Sequence, residues 1–207
     1  MLDVTDRLVV VVGGGTVAAR KVLGLLAAGA TRVRVVAPAF HADLPDVPAV
    51  QRVAETYATS QLDGAGLVFA ATDQPEVNAA VVRDARARGV VVNRADADEA
   101  VADAGDFATP AVHRGGGGLV MTVSAGGSPA LATRVRDELA QRLDPRWPQL
   151  AEAMQTLRPL VLASGLDAAR RHAAFRDLAS DEALALVATD GVDGLRRWIG
   201  RRYPELA

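Results

Sequence analysis

The sequence predicts an α/β protein: a Rossmann-type doubly wound parallel sheet, then a small α+β region and a C-terminal helical region. Three observations carry this. Leu8–Val12 is an unbroken apolar run, LVVVV, that enters three glycines, and a strand without polar alternation is one buried on both faces. Apolar runs and helical periodicities then alternate to residue 95, the pattern of successive βαβ units. Past residue 112 the pattern changes to a glycine-rich hairpin and then to helices rich in Ala, Leu and Arg.

The first strand and its turn organise the rest. In Gly13-Gly14-Gly15-Thr16-Val17-Ala18, Gly13, Gly15 and Ala18 match G-x-G-x-x-A. The first permits a tight turn, the second lets backbone approach a pyrophosphate, and the third lets the helix pack against the strand. Unpaired N–H groups around Thr16 and Val17 would then face an anion at the helix start. A P-loop is excluded, because Lys21 follows Arg20 rather than a glycine.

Residues 17–28 carry apolar positions at helical spacing and stop at Gly29. Arg32–Ala37 is a second strand, ended by Pro38. An acidic residue near this point usually binds the adenosine ribose, and here the chain reads Val35-Val36-Ala37-Pro38 instead. Arg34 either answers a 2′-phosphate or faces solvent. Val50–Ala54 and Leu67–Ala71 are the third and fourth strands, the latter closing in Thr72-Asp73. A helix follows over Pro75–Arg88, with Val77, Val81 and Ala85 on one face, and Val90–Asn93 is a fifth strand. Ligands of such a sheet sit at the carboxyl ends of its strands. The stretch from Asp106 to Val112 is extended and leads through His113-Arg114 into four glycines, read as a flexible turn. Leu119–Ser124 completes the hairpin. Ser128-Pro129 starts a helix with Ser as cap and Pro in the first turn, striped by Leu131, Val135 and Leu139. From Pro145 onward the chain is helical with breaks.

Composition narrows the function. Half the residues are apolar and the formal net charge is −2, so nothing marks a nucleic-acid partner. There is no cysteine, which removes disulfides, thiolate metal sites and cysteine nucleophiles. No signal-like region or membrane-length apolar run occurs, which reads as a cytoplasmic protein without a membrane partner. Lys21 is the single lysine among 23 basic residues. Neither Tyr57 nor Tyr203 is followed by lysine four residues on, which disfavours a short-chain dehydrogenase.

Five stretches occur in order: GGGTVAARK, VFAATDQPEVN, VVNRAD, DFATPAV and VSAGGSPALATRVRDEL. Over residues 7–145 the chain resembles the precorrin-2 dehydrogenase family, the N-terminal region of siroheme synthases. The resemblance implies NAD as cofactor, precorrin-2 as substrate and sirohydrochlorin as product. It leaves open metal insertion by the same chain, the ferrochelatase (lyase) activity of some members. It also implies a homodimer paired through the segment after the nucleotide domain, and hence three parts: an NAD-binding domain over 1–112, a dimerisation region over 113–145 and a helical domain over 146–207. Where family members read Ser-Ser-Gly-Gly-Thr-Ser-Pro, this chain has Ser124-Ala125-Gly126-Gly127-Ser128-Pro129. The second serine, a phosphorylation point in the family, is Ala125, so that regulation does not carry over. The alternative from another class is a non-enzymatic NAD-sensing module.

The resemblance places the family's key acid at Asp96, in Asn93-Arg94-Ala95-Asp96. It is either a proton acceptor during oxidation or the cap of a turn. Cofactor-binding candidates are Gly13, Gly14, Gly15, Thr16 and Val17 at the pyrophosphate, Pro38 and Ala39 at the adenosine, and Thr72, Asp73 and Asn93 along the cleft. Asp73 either touches ligand or caps the helix at Pro75, and Asn78 either faces the cleft or bonds a neighbouring loop. His113 is either an acid–base group or merely exposed, whereas His41 and His172 have no clustered partners. Precorrin-2 is rich in carboxylates, which suits Arg20, Arg94, Arg114, Arg134 and Arg136 as bidentate partners.

Overall fold

The computed structural model describes residues 2–95 and 105–206. These form two compact units, Met1–Thr109 and Pro110–Ala207. Asp96 lies outside the described residues.

The first unit is a five-stranded, fully parallel sheet of β1 (Leu8–Val12), β2 (Arg32–Val36), β3 (Val50–Val53), β4 (Leu67–Ala70) and β5 (Val92–Arg94), in the order β3-β2-β1-β4-β5. The chain leaves β1 first toward β2 and β3, then returns to place β4 on its other side. The switch point therefore lies between β1 and β4, where open α/β sheets bind ligands. Helix α1 (Thr16–Ala27) joins β1 to β2, and α2 (Pro75–Ala87) joins β4 to β5. Alternation along β1 feeds two cores. Val9 and Val11 pack with Ala18, Ala19, Val22 and Phe69 on one face, while Val10 and Val12 pack with Val81, Val82 and Ala85 on the other. All four valines are at most 1% exposed, each burial contributing about 1.5–3 kcal/mol. That is why the strand shows no polar alternation.

The second unit opens with the antiparallel pair β6 (Ala111–Arg114) and β7 (Val120–Val123), followed by α3 (Pro129–Gln141), capped by Ser128 Oγ accepting from Leu131 N–H at 3.3 Å. Three further helices, α4 (Arg146–Ala163), α5 (Ala168–Leu178) and α6 (Asp181–Arg202), enclose a core of Leu157, Leu178, Leu195 and Ile199. The helical stretch expected from Pro145 is thus broken before the caps Asp167 and Ser180 and again inside α6, which kinks at Gly191 with φ +63° and ψ −163°. The glycine turn of the hairpin is not the flexible link expected. Gly116, Gly117 and Gly118 all have positive φ, a Cβ on Gly117 would lie 2.3 Å from the Pro148 carbonyl, and Gln155 Nε2 donates to the Gly117 carbonyl at 2.7 Å. The glycines let the turn sit directly on α4. Among the described residues no helix is long and apolar enough to cross a membrane.

Candidate dinucleotide site

At the end of β1, Gly13 N–H donates to the Val36 carbonyl at 2.9 Å and the chain turns with φ +128°, a conformation left to glycine. A Cβ on Gly13 would stand 2.2 Å from the Ala71 carbonyl oxygen. One on Gly14 would stand 1.9 Å from that of Ala39, and the Gly14 carbonyl accepts from His41 N–H at 2.7 Å. Gly14, the middle residue to which the pattern gives no role, is what brings the β2 loop against the turn. Gly15 occupies the N-cap of α1, no side chain caps the helix, and no acidic residue stands in its first turn. A Cβ on Gly15 would meet open space. Thr16 and Val17 are exposed beside it, and Ala18 is fully buried against the strand. The result is a cradle of uncapped N–H groups at the positive end of a helix, suited to a pyrophosphate.

Ala37 is buried at the end of β2, with Pro38 and Ala39 exposed beyond it. Arg34 follows neither sequence reading. It is half-buried, its Nη1 donates to the Gln61 carbonyl at 2.9 Å, and its Nε donates to Gln51 Oε1 at 3.2 Å. At the end of β4, Asp73 is exposed and does not cap α2, whose N-cap position is Gln74. The turn is built instead by Thr72 and the fully buried Asn78. Asn78 Oδ1 accepts from the Thr72 hydroxyl at 2.8 Å and its N–H at 3.1 Å, while Asn78 Nδ2 donates to the Thr72 carbonyl at 3.0 Å. Asn78 therefore serves the loop.

At the end of β5, Asn93 is 4% exposed and its Nδ2 donates to the Phe107 carbonyl at 2.7 Å. Its Oδ1 is buried with no hydrogen-bond partner among the described residues, a rarity that calls for a reason. Arg94, expected to meet carboxylates, is 9% exposed and donates from Nη2 to the Pro75 carbonyl at 3.3 Å. Sequence reasoning missed two groups. Lys21 Nζ donates to Thr109 Oγ1 at 2.5 Å and lies 5.5 Å from the Phe69 ring centroid. Burial, aided by the neighbouring Arg20 charge, lowers its pKa; the uniqueness of this lysine was the one available signal. Asp106 takes the Val92 N–H at 2.9 Å and Arg86 Nε at 3.0 Å, and its place in the stretch DFATPAV gave no hint of this. His113, Arg114, Arg134 and Arg136 belong to the second unit, where Arg136 pairs with Asp137 at 2.6 Å. Among the described residues no three His, Asp or Glu side chains group as metal ligands.

The glycine turn, the β2 loop, Thr72-Asp73 and Asn93 thus stand at the carboxyl ends of β1, β2, β4 and β5, around the switch point. An open Gly15 cradle and an unpaired buried acceptor on Asn93 fit a dinucleotide with a phosphate centre and an N–H-bearing end. Comparison with known proteins agrees. The chain is 39% identical over 153 residues to a siroheme synthase of Methylobacillus flagellatus, covering 72% of this chain and 32% of that protein. It is 39% identical over 165 residues to that of Chromobacterium violaceum, covering 77% and 34%. The chain spans about a third of the length of these relatives. A solved structure described as SirC, precorrin-2 dehydrogenase, superposes with a TM-score of 0.76 at 25% identity, over 97% of this chain and 98% of that one. The profile of a family described as putative NAD(P)-binding matches residues 1–111, the whole sheet with its glycine turn, and the chain belongs to that family.

Proposed function

We propose that this chain catalyses the NAD-dependent oxidation of precorrin-2 to sirohydrochlorin, a step toward siroheme. The observation that carries the reading is the likeness to a precorrin-2 dehydrogenase along nearly the whole length of both chains. Gly13, Gly14, Gly15, Thr16 and Val17 would hold the pyrophosphate, Pro38 and Ala39 the adenosine, and Thr72, Asp73 and Asn93 the nicotinamide end. NAD rather than NADP suits β2, whose central Arg34 is committed to the carbonyls of Gln61 and Asp63. When bound, NAD supplies the two-electron acceptor. The oxidation removes two hydrogens from the macrocycle, one as hydride and one as a proton. Asp96, placed by the family motif just beyond β5, is the proposed proton acceptor.

The working unit is proposed to be a homodimer, with the second unit dividing into a pairing region up to residue 145 and a helical domain from 146. Support comes from the stripe on α3. Leu131 is 52% and Leu139 44% exposed, and Val112 on β6 is 38% exposed. Such an apolar surface suits an isologous interface. The test of the activity is spectral. Incubating the chain with NAD and precorrin-2 should produce sirohydrochlorin absorbance and NADH fluorescence together. Bound NAD with neither signal refutes the assignment.

A further inference from the structure

We infer that Lys21 and Thr109 are positioning residues, holding residues 105–109 so that Asn93 keeps its side-chain oxygen ready for the carboxamide N–H of a nicotinamide. This rests on the dinucleotide reading above and deepens it.

Register places Val11, Phe69 and Asn93 opposite one another across β1, β4 and β5, so the three share the face that α1 covers. Residues 105–109 start along the outer edge of β5 and bring Phe107 and Thr109 onto that same face. Gly105 bridges Asn93 antiparallel, and a Cβ on Gly105 would lie 2.8 Å from Arg94 N. Phe107 sets its ring edge-on to Phe69, centroids 5.6 Å apart, and Thr109 meets Lys21 from α1. The Asn93 amide can point only one way in this frame. Its Nδ2 must face the Phe107 carbonyl, because a carbonyl offers no proton, and the orientation leaves Oδ1 as a buried acceptor with no partner among the described residues. An unpaired buried acceptor is unfavourable until a donor arrives. Lys21 carries the same sign of a special role. Its ammonium is half-buried, its pKa is lowered, and among the described residues no carboxylate pairs with it. A cation kept there at a cost, for one hydroxyl and one ring face, is a latch on the segment that orients Asn93.

Calorimetry with three nucleotides tests this without any tetrapyrrole. ADP-ribose lacks the nicotinamide, and acetylpyridine adenine dinucleotide carries a methyl where the carboxamide has its NH₂. Wild-type protein should bind NAD about tenfold more tightly than the acetylpyridine analogue. Asn93→Ala should bind the two equally while holding ADP-ribose within about twofold of wild type, which also certifies its fold. Lys21→Met should lose most of the preference, and Lys21→Arg, which still donates to Thr109, should keep it. A preference retained in Asn93→Ala overturns the proposal and gives the Asn93 oxygen to another donor, such as a pyrrole N–H. Equal weakening of all three nucleotides overturns it too, as does an unchanged preference in Lys21→Met. Failure of wild-type protein to bind ADP-ribose instead refutes the underlying dinucleotide site, a separate result.

Discussion

Three glycines in succession end β1, and each is there for a different reason. Gly13 needs its φ of +128°, Gly14 needs the absence of a Cβ against the β2 loop, and Gly15 needs neither. Substitutions should separate them. Gly13→Ala forces backbone strain and a 2.2 Å overlap with the Ala71 carbonyl, costing about 3 kcal/mol or more, read as a fall in Tm. Gly15→Asp meets open space, and aspartate is a good N-cap. The apo fold should gain roughly a few tenths of a kcal/mol while NAD affinity falls on the order of 10²-fold, since a carboxylate would stand where phosphate lies. Unfolding and calorimetry on the same variant check both signs. Asp96→Asn addresses the chemistry. If the carboxylate accepts the proton, turnover falls by on the order of 10²–10⁴ with NAD affinity unchanged; a turn cap would survive the change almost intact. The outer glycines were legible because their pattern is local. The role of Gly14 was not, because it depends on Ala39, and neither was that of Lys21, which acts through Thr109, 88 residues away.

The strands of the first unit were legible to within a residue or two, since a parallel strand buried on both faces writes itself as an apolar run. The fifth was expected over residues 90–93 and stands at Val92–Arg94, where two hydrogen bonds between Val92 and Asp106, beside the bridge from Asn93 to Gly105, rather than hydrophobicity set its outer side. The glycine hairpin was misread as flexible because its partner, α4, lies more than thirty residues on and glycines do not announce what they pack against. Gly117→Ala should therefore cost about 2–3 kcal/mol, from positive φ and the overlap with the Pro148 carbonyl. A free turn would tolerate or even favour alanine, so thermal unfolding decides. Helix α3 gives the opposite case. Leu131→Glu with Leu139→Glu replaces exposed side chains, so folding should persist while sedimentation shifts from the proposed dimer to a monomer. An unchanged mass would remove this face from the interface.

For the molecule as a whole, acid stability should depend on where the chain closes its own sheet. The Asp106 carboxyl is held below the usual carboxylate range chiefly by the Val92 N–H, with Arg86 adding to the effect. A group depressed in the folded state stabilises at neutral pH, and that contribution is lost as pH falls through its folded pKa. Asp106→Asn should therefore lower stability at neutral pH and flatten its decline in acid, measured by denaturant unfolding across pH.

The same residue bears on behaviour in concentrated solution. Val92 turns its N–H and C=O outward from the sheet, and Asp106 takes both, the N–H through its side chain and the C=O through its own backbone N–H at 2.7 Å. At this margin the chain serves as its own neighbouring strand, which occupies the Val92 groups a foreign strand would pair with. The opposite margin, β3, is short and presents Gln51 and Arg52 outward, which discourages docking by other means. Clipping residues 105–109 away from β5 would turn a guarded margin into an adhesive one, and the first symptom would be aggregation rather than lost catalysis.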